Sequence, residues 1–276
     1  MVTPSFSQEV VEQSVETLTG SQGPPTCVNA DGGMVVFGDS SGHCTLLDRQ
    51  LKIDYKIKAF RGEVRDVCYL FDHTNANRRQ YIVCAGDDAI AGGTTGGPNY
   101  AIKIFVIKHS NLSGDKRHAV VETPRPLHVC QITGVHPLPI GATLMGMAVL
   151  KDALQIAVSF STGTVLYFTG NFLKDSTGAG GRQPVPQVLS SPVGREVTGL
   201  YYAEVISTKT TDRLIRLFVV YDTFSPADGA EAATTASGDD LELLNAGIVV
   251  FDTSCSLSPG GIGILQNIIV VLSYSV

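Results

Sequence analysis

Short apolar runs recur along the chain in groups of three, and tight turns rich in glycine and small polar residues separate them. In the clearest group the runs lie at 145–150, 154–159 and 164–168, and the turn at 160–163 joins the last two. Apolar runs of this length, bounded by turn residues, are typical of β-strands. Each group therefore predicts three strands joined by tight turns, which is most of one propeller blade.

Three further groups repeat this layout, at 26–29, 34–38 and 43–47, at 65–70, 81–86 and 101–107, and at 197–205, 214–221 and 246–251. Gly42 and Gly163 occupy the same place in the turns of their groups. A short hairpin connection needs a residue that tolerates positive φ, and glycine does so without steric cost. We therefore interpret the two turns as equivalent parts of an internal repeat.

A fourth, outer strand is predicted for three of the groups, at 51–58, 127–132 and 185–189. The patterns together predict an all-β fold, a WD40-like β-propeller with about four blades, near residues 25–58, 65–132, 145–189 and 197–252. Residues 1–24 form an N-terminal segment. The uncharged tail at 253–276 is shorter in its apolar part than a membrane-spanning helix requires, so we expect no transmembrane span. Its status stays open between a terminal strand and an artefact of a truncated or misread gene.

Composition narrows the classes of function. The chain has 276 residues, of which 43% are hydrophobic and 17% charged, so it can bury a core. Its net charge is −6 and its lysines and arginines are scattered singly, so we expect no nucleic-acid partner. The first positively charged side chain is that of Arg49, so the N-terminus lacks the basic region of a secretory signal or transit peptide. We expect a cytoplasmic protein.

The candidate metal ligands are widely spaced. Cysteines lie at 27, 44, 68, 84, 130 and 255, and we interpret them as buried reduced thiols, because zinc sites and disulfide scaffolds usually show closely spaced pairs. The carboxylates of Asp87 and Asp88 are interpreted as a solvated turn pair, not as a cation site. The sequence therefore predicts no catalytic, cofactor-binding or metal-binding residues, and it does not identify an interaction surface.

Several runs, in order, resemble one known family. They are DGGMVVFGD at 31–39, GDD at 86–88 followed by IKI at 102–104, IAVSFSTGTV at 156–165, VTGL at 197–200 and LFVV at 217–220. Their order and spacing are similar to those of the N-terminal propeller of the vacuolar protein sorting-associated protein 11 family. The resemblance implies a seven-bladed propeller followed by an α-solenoid and a RING zinc domain. This chain shows four recognisable blades and neither of the other parts, so we expect a truncated chain with a partial propeller.

The resemblance also implies a function. Members of the family are core subunits of the HOPS and CORVET tethering complexes, which act in endosome–lysosome docking and fusion, in intracellular protein transport and in autophagy. The implied partners are other class C vacuolar sorting subunits and, through the complex, SNAREs and Rab GTPases. The implied location is peripheral, on late endosomal and lysosomal or vacuolar membranes. Because the RING domain is absent, zinc binding and a ubiquitin-ligase role do not carry over, and we expect a scaffold that is not an enzyme.

Two rival hypotheses stay open. An unrelated cytosolic WD40-like propeller adaptor has the same strands and turns but different partners. A serine hydrolase using Ser40 is suggested by the run GDSSG at 38–42, which fits the G-x-S-x-G nucleophile elbow. The elbow needs a helix after the serine, whereas the residues from His43 to Ile57 predict strand, turn and alternating strand. The equivalent turn at 160–163 favours a blade turn instead.

Overall fold

A computed structural model describes residues 23–72, 79–89, 98–107, 120–121, 125–133, 138, 141–153, 155–173, 186–190, 196–206, 213–221, 248–253 and 266–268. These residues form strands and connecting turns. The strands, in chain order, are β1 (Pro25–Asp31), β2 (Met34–Asp39), β3 (His43–Leu47), β4 (Ile53–Lys58), β5 (Val64–Phe71), β6 (Gln80–Asp87), β7 (Tyr100–Ile107), β8 (Val120–Val121), β9 (His128–Gln131), β10 (Leu144–Val149), β11 (Gln155–Phe160), β12 (Thr164–Thr169), β13 (Gln187–Ser190), β14 (Val197–Ile206), β15 (Arg213–Tyr221), β16 (Ile248–Asp252) and β17 (Gln266–Ile268).

The strands form four sheets, and each sheet contains an antiparallel set of four strands. The sets are β1–β4, then β5, β6, β7 and β9, then β10–β13, and finally β14–β17. The short strand β8 pairs in parallel with β4 at the outer edge of the first sheet. The prediction of an all-β fold with about four blades is therefore confirmed. The sequence pattern missed β8, and β17 lies in the tail whose status the sequence left open; it pairs with β16.

The turn glycines have the conformation that the repeat predicts. Gly42 has a φ of 82° and Gly163 a φ of 79°, the left-handed region that favours glycine. The carbonyl oxygen of Gly42 accepts hydrogen bonds from the backbone N–H groups of Ala59, at 2.8 Å, and Phe60, at 3.0 Å. These two bonds therefore hold the chain against the turn between β2 and β3 where it leaves the first blade.

A repeated irregularity marks the start of the innermost strand of every blade. The register shifts by one residue between Pro25 and Cys27, between Val64 and Asp66, between Leu144 and Gly146, and between Val197 and Gly199. One extra residue in one strand of an antiparallel pair is a β-bulge, which bends the strand and increases its twist. The four bulges show that the blades are copies of one unit in their backbone geometry as well as in their strand order.

The core consists of three apolar layers between successive blades. Val36, Leu46 and Ile82 belong to the layer between the first and second blades, Tyr81, Ile102 and Phe160 to the next, and Tyr167, Leu217 and Phe251 to the last. Side chains of β6 alternate between layers: Ile82 faces the first blade and Tyr81 the third, because successive residues of a strand point to opposite faces. Among the described residues, the blades form a row in which the fourth does not pack extensively on the first.

Polar side chains connect the blades in addition to this apolar packing. Asn29 Oδ1 in β1 accepts a hydrogen bond from the backbone N–H of Tyr69 in β5, at 3.1 Å. The third and fourth blades are joined by Gln155 in β11 and Thr253, which follows β16. Gln155 Nε2 donates to the Thr253 carbonyl at 3.0 Å, and the Thr253 hydroxyl donates to Gln155 Oε1 at 2.8 Å. Both side chains are buried, so these bonds are shielded from water.

Candidate interaction surfaces

Ser40 lies in the turn between β2 and β3 of the first blade. Its backbone N–H donates to the Pro24 carbonyl at 3.0 Å, and the chain continues directly into the strand β3. A nucleophile elbow places its serine between a strand and a helix. The prediction of a strand after His43 is confirmed, and the local backbone around Ser40 is that of a blade hairpin.

The neighbouring His43 and Asp39 face each other across the same hairpin. His43 Nδ1 is 3.6 Å from Asp39 Oδ2, and the backbone N–H of His43 donates to Asp39 Oδ1 at 2.9 Å. Burial lowers the pKa of His43 below its ordinary value, and the nearby Lys58 and Lys56 lower it further, whereas Asp39 raises it. The hydrogen bond from the His43 N–H to Asp39 Oδ1 fixes the turn that leads into β3, as aspartate side chains commonly do in turns.

Five of the six cysteines lie among the described residues, and all five are free thiols. Cys44, Cys84 and Cys130 are buried, and Cys27 and Cys68 are half-buried. Burial raises the pKa of the thiols of Cys27, Cys68 and Cys130 to about 12. Thiols with such raised pKa values are poor nucleophiles, because the thiolate is the reactive form. Cys255 lies outside the described residues.

A basic cleft of about 420 Å³ opens where the first blade joins the second. This basic cleft is bounded by Lys58, Ala59, Phe60, Arg61, Asp88, Asn99 and Lys103. The segment from β4 to β5 forms one side, and Asp88 after β6, Asn99 before β7 and Lys103 within β7 form the other. The backbone N–H of Gly62 donates to the Asp87 carbonyl at 2.9 Å, which fixes the two sides against each other. The cleft is therefore built on ordered backbone from two blades.

Lys103 is the best-anchored side chain of the basic cleft. Its Nζ is 2.6 Å from Asp88 Oδ2, donates to the Ala59 carbonyl at 2.8 Å, and lies 4.6 Å from the centre of the Phe60 ring. An ammonium over an aromatic face is attracted by the ring quadrupole. Lysine has three N–H donors, so two of them are used by the carboxylate and the carbonyl.

The sequence led us to interpret Asp87 and Asp88 as a solvated turn pair, but both carboxylates have partners in the structure. Asp88 pairs with Lys103, and Asp87 Oδ1 accepts hydrogen bonds at 2.8 Å from the backbone N–H groups of Ala89 and Asn99. That interpretation was wrong, because the partners come from across the connection between β6 and β7. Among the described residues, no three histidine, cysteine or acidic side chains meet in a group suited to a metal ion.

The faces at the two ends of the row of blades are apolar. In β14, Leu200 and Tyr202 face the third blade, so Tyr201 points to the opposite side, where it is 63% exposed. Tyr201 is paired in register with Phe218, which is half-buried. At the other end of the row, Val28 in β1 is 59% exposed. Exposed apolar side chains on a sheet face are a feature of surfaces that contact other protein.

No helix of the described residues is long and apolar enough to cross a membrane. Four sheets that pack on one another through apolar layers, each with the same bulge in its first strand, define the class of this protein as a β-propeller scaffold of four described blades.

Residues 14–228 match the family model described as VPS11-like, N-terminal beta-propeller. This match covers more than half of the chain, so the chain belongs to that family. The resemblance in the sequence runs is thereby confirmed. The comparison with curated protein sequences finds no match.

Solved propeller structures share little sequence with the chain. It is similar to the Cps50 (Swd1) beta-propeller domain of Myceliophteria thermophila, at 14% identity and a TM-score of 0.40, covering 70% of this chain and 50% of that one. It is also similar to BBS1N in complex with ARL6DN, at 16% identity and a TM-score of 0.40, covering 71% of this chain and 45% of that one. A third, KlHsv2 with loop 6CD replaced by a Gly-Ser linker, is 11% identical with a TM-score of 0.35 and covers 73% of this chain and 54% of that one. The chain thus spans about half the length of these structures.

Proposed function

We propose that this protein is a protein-interaction scaffold and a subunit of a class C vacuolar sorting tethering complex, HOPS or CORVET. The observation that supports the proposal is the family match over residues 14–228. The propeller of residues 25–252 presents surfaces to the other subunits of the complex. Through these contacts the protein serves endosome–lysosome docking and fusion and intracellular protein transport.

The proposed partners are the other class C vacuolar sorting subunits and, through the complex, SNAREs and Rab GTPases. The proposed location is peripheral, on the cytoplasmic face of late endosomal and lysosomal membranes. The surfaces suited to protein contacts are the apolar end faces with Tyr201 and Val28, since exposed apolar side chains on ordered strands release water when a partner covers them. The basic cleft provides a polar surface of a different kind.

The serine-hydrolase hypothesis makes a separate chemical prediction. A serine nucleophile in a working site reacts with a fluorophosphonate probe, and substitution of Ser40 by alanine abolishes that reaction. We expect no labelling of Ser40 in the folded chain, because its turn has the backbone of a blade hairpin. Labelling that disappears in the Ser40→Ala variant would overturn the scaffold proposal.

Depletion of the protein from its own cells tests the tethering role. We expect a fluorescent endocytic tracer to accumulate in endosomes and to reach degradative lysosomes more slowly, and expression of the depleted protein to restore delivery. Delivery at the normal rate, in cells shown to lack the protein, contradicts the proposed function. An adaptor with unrelated partners predicts that normal rate.

A further inference from the structure

The basic cleft has more hydrogen-bond donors than the chain itself uses. Among the described residues, the guanidinium of Arg61 and the side-chain amide of Asn99 have no partner, and the ammonium of Lys58 contacts only the Ser41 carbonyl. Lys103 keeps one of its three donors after binding Asp88 and the Ala59 carbonyl. Unused donors converging on one cavity are the feature of a site for an acceptor.

Charge adds to this preference for an acceptor. Three cationic side chains, those of Lys58, Arg61 and Lys103, line the cleft with the carboxylate of Asp88, and the Asp87 carboxylate lies beside Asn99, so positive groups outnumber negative ones there. The whole chain has a net charge of −6. A cleft focuses the field of its own charges, so a basic cleft on an acidic protein attracts anions selectively to one place.

The contact between Lys103 and Asp88 shows which anion the cleft holds well. The carboxylate of Asp88 sits 2.6 Å from Lys103 Nζ, at the distance of a strong charge-assisted hydrogen bond. A second carboxylate placed beside Arg61 gains a planar, two-pronged donor, which matches carboxylate geometry.

We propose that the basic cleft binds an acidic peptide segment of a partner protein, with a glutamate or aspartate carboxylate held by Arg61 and Lys58. The buried Phe60 and Ala59 provide an apolar floor for the carbon atoms of the segment. The volume of about 420 Å³ suits two or three side chains and not a folded surface. This inference rests on the proposed scaffold role and names one class of ligand that the scaffold binds.

Fluorescence anisotropy with the purified chain tests the inference. The probe is a fluorescein-labelled peptide of alternating glutamate and glycine, and the matched probe has glutamine at every glutamate. We expect the glutamate peptide to bind, with an affinity that falls as salt rises, and the glutamine peptide not to bind. Arg61→Gln should weaken binding about ten-fold or more, since a charge-assisted hydrogen bond is lost. Lys52→Gln removes the same charge from the opposite end of β4 and should leave the affinity unchanged.

Three results overturn the inference. Equal binding of the two peptides means that charge does not select the ligand. Unchanged affinity in Arg61→Gln means that the peptide binds elsewhere. Preferential binding to vesicles containing an anionic phosphoinositide means that the ligand is a membrane lipid. Circular dichroism of each variant is the control that separates a loss of binding from a loss of folding. None of these results bears on membership of the tethering complex, so the two proposals fail independently.

Discussion

Asp66 Oδ2 in the inner strand of the second blade accepts a 2.6 Å hydrogen bond from the backbone N–H of Met147, in the inner strand of the third blade. The same carboxylate accepts a second bond at 2.7 Å, from the N–H of Val67. Asp66 follows the bulge of β5, which turns its side chain toward the next blade. A single acidic residue thus joins two blades.

Removal of the Asp66 carboxylate should destabilise the propeller. In Asp66→Ala the N–H of Met147 loses its acceptor while it remains half-buried, which costs about 1–3 kcal/mol. Chemical denaturation of the purified chain measures the loss in the free energy of unfolding. Asp66→Asn keeps one of the two acceptor oxygens and should lose less stability than Asp66→Ala. Equal stability of Asp66→Ala and the unmodified chain contradicts the bridging role.

The ionisation of Asp66 should make the stability depend on pH. Burial raises its pKa above the ordinary value of 3.8, and the two backbone hydrogen bonds offset this only in part. A raised folded-state pKa means that the folded protein binds the proton more tightly than the unfolded chain. This contribution to stability is complete below pH 3.8 and is lost as the pH rises through the folded-state pKa.

Denaturation at a series of pH values tests that sign. The free energy of unfolding of the unmodified chain, minus that of Asp66→Asn, should decrease from acidic to neutral pH. Asp31→Asn makes the same substitution at an exposed position and serves as the control. A constant difference between the unmodified chain and Asp66→Asn across the pH range contradicts the prediction.

Gly42 should be far less tolerant of a side chain than another glycine with the same backbone conformation. Gly42 has a φ of 82° and Gly141 a φ of 83°. A Cβ on Gly42 would meet the carbonyl oxygens of Phe60 and Gly62, whereas a Cβ on Gly141 would meet nothing within 4 Å. Gly141→Ala should cost only the conformational strain of about 1–2 kcal/mol. Gly42→Ala should cost clearly more, and equal thermal stability of the two variants contradicts the account.

The buried pair of Gln155 and Thr253 should couple the third blade to the fourth. A double-mutant cycle with Gln155→Leu and Thr253→Val measures the interaction directly. We expect a coupling energy of about 1–2 kcal/mol between the two positions, because Thr253→Val removes the hydroxyl that donates to Gln155 Oε1 and Gln155→Leu removes that acceptor. Additive effects of the two substitutions would show that the hydrogen bond between the two side chains does not couple the blades.

The parts of the fold that the sequence predicted are those that depend on local pattern. Alternation of apolar and polar residues predicted β4, and the positions of Gly42 and Gly163 predicted two equivalent hairpin turns. The two-residue strand β8 is too short to produce a periodic signal. The bulges consist of one extra residue each, such as Thr26 or Thr198, and a single insertion does not disturb the apolar pattern that defines a strand.

The basic cleft was beyond sequence reasoning for a different reason. Lys58 ends β4 in the first blade, Arg61 lies in the connection to the second blade, and Lys103 lies within β7. Their charges meet only because the end of β4 and the first half of β7 lie at the same junction. The lysines and arginines are scattered singly along the sequence, and the fold brings three of them together. One local signal was present: Lys103 interrupts the apolar run of β7, where a charged side chain needs a partner.

Affinity purification of the tagged protein, expressed at its natural level, tests the central claim most directly. Quantitative mass spectrometry of the purified material identifies the partners. We predict that the other class C vacuolar sorting subunits are enriched over a purification with the tag alone. Enrichment of a different set of proteins, without those subunits, would contradict the tethering assignment and would favour an unrelated propeller adaptor.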